Sequence, residues 1–254
     1  MSREQTKNIA IIIPCYNEGK GIANVIKKIP RNCLTRNLYD IHVYVIDNNS
    51  TDNTAEEARK AGATVIHEPK KGKGNAMRTG FRSIPASVDY VVMLDGDDTY
   101  DSGEILRLVE PLQSGFSDVV IGSRMSGRIH GDSMPKFNLL GNWIFTHLVR
   151  YVYRANVTDV LTGYFAWKKH VIDDLHPHLV SDGFAIEMEM ITKMARMNHQ
   201  ITSVPISYLQ RAGDSNLRPI KDGIRILKMF VRNLTWRPRI ARPVSLGVAE
   251  EDVA

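Results

Sequence analysis

The sequence predicts an α/β protein with a mostly parallel sheet and helices on both faces. Two observations predict it. Short apolar runs rich in Ile and Val alternate with segments of helical spacing from about residue 8 to residue 121, and such alternation builds βαβ units. The runs also end in polar clusters, where α/β sheets place their ligands.

The elements follow in order. Asn8 to Ile13 is Ile-rich and predicts a strand. Ile22, Val25, Ile26 and Ile29 recur at helical spacing within Gly21 to Ile29. Ile41 to Ile46 predicts a second strand. Thr51-Asp52-Asn53-Thr54 is expected to cap a helix through Ala61, stopped by Gly62. Thr64 to His67 reads as a strand and Gly74 to Ile84 as a helix. Val88 to Leu94 is a buried strand, Ser102 is expected to cap a helix through Gln113, and Asp118 to Ile121 predicts a further strand.

The chain has 254 residues, enough for one large domain with a buried core. Net charge is +5 and the pI about 9.1, which suits an anionic partner without specifying one. Two cysteines, Cys15 and Cys33, predict a reducing compartment and no disulfide framework. Met1 to Lys7 is short and polar, so no secretory leader is expected. No apolar run reaches the 18 or so residues of a membrane span.

The strand ends carry the chemistry. The first gives Pro14-Cys15-Tyr16-Asn17-Glu18, the second Asp47-Asn48-Asn49-Ser50-Thr51-Asp52, and the third leads to Lys70-Lys71-Gly72-Lys73-Gly74. The fourth gives Asp95-Gly96-Asp97 and the fifth Gly122-Ser123-Arg124. Asp95 and Asp97 lie two apart, so in extended backbone they point the same way and invite a cation between them. Hard divalent ions take such oxygens and bridge them to substrate phosphates. The competing reading of this segment is a solvated acidic turn. Lys70 to Gly74 has neither Walker A spacing nor the dinucleotide glycine pattern. As a basic loop entering a helix it suits an anion.

Together these motifs resemble the family 2 glycosyltransferases of the GT-A fold. The later segments Asp159-Val160-Leu161-Thr162-Gly163-Tyr164-Phe165, Val204-Pro205-Ile206 and Arg211-Ala212-Gly213-Asp214-Ser215-Asn216-Leu217 narrow the resemblance to the dolichyl- or polyprenyl-phosphate sugar synthases. It covers about residues 8–236 as a single GT-A domain. Residues 8–122 form a nucleotide-sugar half and residues 123–236 an acceptor half, followed by a polar tail at 237–254.

The resemblance implies roles. Pro14, Tyr16 and Glu18 hold the nucleoside, Asp47 contacts base or ribose, and Lys73 lies near the donor. Asp95 and Asp97 hold Mg2+ or Mn2+ and the donor diphosphate, with Asp97, Arg124 and Arg211 as the catalytic set. Arg124, Arg211 and Ser215 face the acceptor phosphate, and an acid comes from Glu187 or Glu189; bringing two anions together needs positive charge, for which Arg128 and Lys136 are further candidates. Three positions depart from the pattern: Asn48 replaces a second Asp, Thr99 a Gln, and Asn216 a Lys. Arg218 or Lys221 is a candidate to replace that last cation. The implied reaction inverts the anomeric carbon, moving a hexose or N-acetylhexosamine from a GDP- or UDP-linked sugar to a polyprenyl phosphate.

A lipid acceptor requires a membrane surface. Asn138, Asn142, Thr146, Arg150 and Arg154 recur every four residues as a polar stripe, amid Leu139, Leu140, Trp143, Ile144, Leu148, Tyr151 and Val152. Ile224 to Trp236 sets Arg225, Lys228 and Arg232 opposite Leu227, Val231 and Leu234. Both read as interfacial amphipathic helices, with packing on the chain's own domain as the alternative. The expectation is a peripheral enzyme on the cytoplasmic membrane face, alone or with a membrane partner subunit, and no nucleic acid. Three alternatives stand beside it: transfer to a soluble or glycan hydroxyl, nucleotidyl transfer, and a non-catalytic sugar-nucleotide-binding subunit of a membrane complex. The first of these needs a general base, for which Glu187, Glu189 or Asp182 is available.

Overall fold

The computed structural model describes residues 6–131, 133–211 and 217–238. The elements run β1 (Lys7–Cys15), α1 (Ile22–Lys28), α2 (Arg31–Arg36), β2 (Tyr39–Asp47), α3 (Thr54–Lys60), β3 (Thr64–His67), α4 (Lys73–Ser83) and β4 (Tyr90–Met93). They continue with α5 (Ile105–Gln113), β5 (Val119–Ile129), α6 (Lys136–Tyr153), β6 (Phe165–Lys168), α7 (Lys169–Leu175), α8 (Ile186–Arg196), β7 (Ile201–Tyr208) and α9 (Pro219–Arg232). The seven strands form one sheet in the order β3-β2-β1-β4-β6-β5-β7.

Strand β1 shows why the sheet is buried on both faces. Ile9, Ile11 and Ile13 belong to one core, with Val25, Ile26 and Leu108. Ala10 and Ile12 belong to the other, with Met77, Trp167 and Ile191. Alternate residues of a strand face opposite ways, so an uninterrupted apolar run feeds two cores and needs helices on both sides. Phe165 and Trp167 stack at 5.1 Å, and Phe81 meets the Trp167 ring edge-on at 5.6 Å.

The mostly parallel sheet is as predicted, with one exception. β6 runs antiparallel to both β4 and β5. It has four residues and is entered from a loop, so it lacks the strand-then-helix alternation by which the parallel strands are read. β5 extends to Ile129, well past the predicted Ile121, and shifts register against β7 between Ser123 and Arg128. Asp101, not Ser102, caps the turn before α5, accepting from Gly103 N. The Ser102 hydroxyl instead donates to Val25 O at 2.8 Å.

The helix α6 corrects the sequence reading. Asn142 and Thr146, the centre of its polar stripe, are buried, while Phe137, Leu140, Trp143 and Tyr151 are at least half exposed. The stripe is polar because it meets a buried carboxylate. Asn142 Nδ2 donates to Asp159 at 2.6 Å, Leu161 N donates to Asn142 Oδ1 at 3.2 Å, and Val160 N donates to Thr146 Oγ1 at 3.2 Å. Arg154 leaves the stripe, since it ends the helix in a left-handed conformation. Trp236 likewise packs inward, 5.2 Å above Lys193 and 5.4 Å from His178.

The burial of this stripe predicts asymmetric mutational costs. Asn142→Ala should lower unfolding free energy in urea by about 1–3 kcal/mol, because it leaves buried partners unsatisfied. Asn138→Ala, on a half-buried turn, should stay within about 0.5 kcal/mol of the parent.

Candidate active site

The chain runs outward from β1 through β2 to β3, then returns to place β4 on the other side of β1. The crevice at such a switch point lies outside the carboxyl ends of the strands, and the strand-end motifs meet there. Three of their loops turn through left-handed residues, Asn17, Asn49 and Asp98, with φ of 58°, 60° and 63°. Asn and Asp tolerate that region better than other L-residues. The turn at Asp98 sends its carboxylate away to Lys28 at 2.7 Å, which separates it from Asp97.

Two cavities occupy the crevice. The first, about 250 Å³, includes Pro14, Tyr16, Glu18, Asn48, Asp95 and Asp97 in its walls. The second, about 490 Å³, is walled by residues of α6 and α9 together with Tyr100, Arg124, Glu187 and Tyr208. Lys73, Asp95, Phe184, Arg211 and Leu217 line both. These five mark the junction of the two spaces.

Charge is crowded at this junction. Lys73 Nζ lies 2.7 Å from both Asp95 Oδ1 and Glu187 Oε1. Arg211 pairs with Asp97 Oδ2 and lies 3.6 Å from Glu18 Oε1. Among the described residues, ion pairs to these four carboxylates come from these two cations. The imbalance appears in the titrations. Burial and the Asp97 charge push Glu18 up to about 8, against an ordinary 4.5, although Arg211 opposes them. Burial and then Asp95 raise Asp97, and burial raises Glu187 against the pull of Lys73. Lys73 is itself raised: burial lowers it, but Asp95 and Glu187 outweigh that.

Asp95 and Asp97 offer the hard oxygen ligands that Mg2+ or Mn2+ take, and a site with too little positive charge is the environment a divalent cation relieves. The residues therefore fit such an ion. Gly163 leaves room for the Asp95 carboxylate, because a Cβ there would collide with it.

The basic loop is held by Asn48. Its amide donates to Glu68 O at 3.2 Å and Lys70 O at 2.7 Å, and Gly72 N donates to its oxygen at 2.6 Å. Gly72 has φ 126°, and a Cβ there would strike Asp182 O. A carboxylate at position 48 would have no N–H to offer those two carbonyls, which accounts for the Asn. Lys71 lies 4.6 Å over the Tyr16 ring and donates to its hydroxyl at 2.8 Å.

Several of the expected site residues lie away from the cavity walls or are bonded within the protein. Asp47 is absent from the walls of both cavities. It accepts from Ser50 N at 3.3 Å and lies 3.4 Å from His67, while Asn48 takes the place at the cavity. Arg124 is buried, with Nε and Nη2 on Asp159 at 2.8 and 2.9 Å and Nη2 also on Leu161 O at 2.6 Å. Its fork is committed to the protein although the residue lines the second cavity. Arg128, Lys136, Arg218 and Lys221 are exposed and line neither cavity. Ser215 lies outside the described residues.

The two α8 acids have different surroundings. Glu187 lines the second cavity. Glu189 is fully buried, accepts from Val180 N and Ser181 N, and pairs with Lys193 at 2.5 Å. Phe184, Tyr100 and Tyr208 also belong to the walls, and sequence reading missed them. As isolated aromatics without a motif, they are indistinguishable from core residues before folding.

Residues 10–175 match the family described as glycosyl transferase family 2. Glycosyltransferase AglJ of Haloferax volcanii is 36% identical over 91% of this chain and 73% of its own. A dolichyl-phosphate hexose transferase of the same organism is 31% identical over 89% of this chain and 93% of its own. An undecaprenyl-phosphate mannosyltransferase of Micrococcus luteus is 28% identical over 82% and 87%. The fold resembles that of glucosyl-3-phosphoglycerate synthase from Mycobacterium tuberculosis, solved with Mn2+, UDP-glucose and phosphoglyceric acid bound. The TM-score is 0.69 at 21% identity, covering 90% of this chain and 80% of that one. This is the GT-A fold.

The raised Glu18 carboxyl makes the site a cost to stability. An acid whose folded pKa exceeds its unfolded value binds the extra proton only in the fold, so stability is full below pH 4.5 and is lost as pH rises through about 8. Glu18→Gln should therefore stabilise the chain at pH 9 by on the order of 2 kcal/mol and have little effect at pH 4.5. Thermal melts of both proteins across that range test this.

Proposed function

The chain belongs to glycosyl transferase family 2, and we propose that it transfers a hexose or N-acetylhexosamine from a nucleotide-diphosphate sugar to a polyprenyl phosphate, with inversion. One observation carries the reading. Two cavities meet at Lys73, Asp95 and Arg211, and the helices that wall the second present apolar side chains outward. On α6 these are Phe137, Leu140, Trp143 and Ile144; on α9 they are Ile220, Ile224, Leu227 and Val231, all exposed. Arg225, Lys228 and Arg232 flank the latter, also exposed. Apolar side chains beside basic ones suit the surface of an anionic membrane. No described helix is long and apolar enough to cross one. The relatives named for dolichyl- and undecaprenyl-phosphate transfer support the same acceptor.

In this reading the nucleoside lies against Pro14, Tyr16 and Asn48, and the diphosphate against Asp95, Asp97 and Arg211. Asp95 and Asp97 would hold Mg2+ or Mn2+, which supplies positive charge to the departing diphosphate. The acceptor phosphate enters the second cavity. Its oxygen attacks the anomeric carbon, and the bond to the nucleoside diphosphate breaks on the opposite face. The phosphate is already an anion at neutral pH, so no proton need be removed from it. What the step requires is cations between two anions, and Lys73 and Arg211 stand at that junction. Arg211 is poised to exchange Asp97 for a phosphate, for which its planar fork is suited. Arg124 acts at one remove, holding Asp159 and Leu161 and through them α6. Glu187 keeps Lys73 in place. Of the three acids that could serve a hydroxyl acceptor as base, Glu187 is tied to Lys73, Glu189 to Lys193, and Asp182 lines neither cavity.

Transfer should appear with short polyprenyl phosphate, one of GDP-mannose, UDP-glucose or UDP-N-acetylglucosamine, and Mn2+ or Mg2+. Chelator or Asp97→Ala should abolish it. Lys73→Ala should lower the rate on the order of a hundredfold. Transfer to a soluble sugar hydroxyl but to no lipid phosphate would refute the assignment.

The exposed faces of α6 and α9 make a separate prediction. Trp143→Asp with Leu227→Asp should remove the chain from floated anionic vesicles. Transfer to a short, water-soluble prenyl phosphate should persist. Unchanged flotation would remove the membrane role of these helices.

A further inference from the structure

At the edge of the sheet opposite the catalytic crevice, three metal-ligating side chains come together. β5 is parallel to β4, whose far end carries Asp95, so the start of β5 lies at the other edge. Asp118 precedes β5, His170 sits in the first turn of α7, and His199 ends the turn from α8 into β7. One ligand atom from each lies within 4.8 Å of the other two. The imidazole rings stand 5.9 Å apart. Neither the catalytic site nor the acceptor cavity includes these residues.

A second observation points to a ligand. The side chain of His199 is 10% exposed, and its Nε2 is buried without a hydrogen-bond partner among the described residues. Asp174 Oδ2 is 3.5 Å away, too far for a good hydrogen bond. A buried imidazole nitrogen left unpaired is costly. Around the His199 ring stand a second imidazole and two carboxylates, Asp118 and Asp174.

We propose that Asp118, His170 and His199 bind a divalent transition ion of the Zn2+ class, with Asp174 or water as fourth ligand. Imidazole nitrogen with carboxylate oxygen is the donor set Zn2+ accepts, in contrast to the all-oxygen pair Asp95 and Asp97. Lys168 donates to Asp118 Oδ1 at 2.9 Å and Gln200 N to Oδ2 at 3.1 Å. These bonds orient the carboxylate and leave each oxygen a lone pair for the metal. The ion would cross-link the start of β5, the first turn of α7 and the entry to β7. All three are separate in sequence, and the ion would add to the bonds by which Lys168 and Gln200 already join them at Asp118.

Equilibrium dialysis of the metal-stripped full chain against Zn2+ tests the site, with His170→Ala and Asp118→Asn alongside. His170 is exposed, so that variant should fold as the parent does, by circular dichroism. The parent should retain one Zn2+ more than His170→Ala, whose affinity at this site should fall at least about tenfold. Zn2+ at a hundredfold excess over Kd should raise the parent Tm by about 5 °C or more and the His170→Ala Tm much less. Co2+ in place of Zn2+ should give tetrahedral visible absorption in the parent and lose it in His170→Ala. Equal Zn2+ in both proteins would assign the metal to Asp95, Asp97 or the Cys33 thiol and overturn the proposal. So would the absence of any Zn2+-dependent rise in Tm.

Discussion

The structure depends on an unbalanced set of charges at the carboxyl ends of β1 and β4. Glu18, Asp95, Asp97 and Glu187 converge on Lys73 and Arg211. In a half-buried crevice like charges repel strongly, and carboxyl groups respond by holding protons. Glu18 does so up to about pH 8. In the proposed function a cation on Asp95 and Asp97, and anions that engage the two basic side chains, would relieve this crowding.

The surrounding fold keeps that crowding in place. Asn48 and Glu189 are the two anchors. Asn48 ties the basic loop to the end of β2, and Glu189 ties the segment at Val180 and Ser181 to α8. Gly72 then lets the loop close on Asp182, delivering Lys73 to the first turn of α4 beneath Asp95. Beside the second cavity the Arg124–Asp159 pair is buried and joined by Asn142. A buried pair of this kind contributes less net stability than its Coulomb energy suggests, but it fixes where α6 lies. Removing either partner would leave a charge without solvent, which makes the pair a positioning device for the wall of the second cavity.

Local pattern carried much of the answer. The apolar runs of β1, β2 and β4 and the helical spacing of α1 and α4 each require burial on a particular period, and that period is written in adjacent residues. The Asp95-Gly96-Asp97 segment was equally legible, because two carboxylates at a strand end have few neutral explanations once βα units surround them. The four-residue antiparallel β6 left no such trace, nor did the direction in which α6 faces. A polar stripe at helical spacing looks the same whether it meets water or a buried Asp159. The sign of that face is set by a carboxylate 17 residues away in sequence.

Sequence by itself determined the α/β class, the family, the acidic pair and the basic loop, since these rest on short-range periodicity and contiguous motifs. Tertiary structure alone decided which charges are paired. It bound Arg124 to Asp159, assigned Glu187 to the cavity and Glu189 to the core, put Asn48 in place of Asp47 at the wall, and brought Asp118, His170 and His199 together. Each of these is a contact between segments distant along the chain. Ionic and metal-binding chemistry acts over a few ångströms of space, and linear order does not encode that distance.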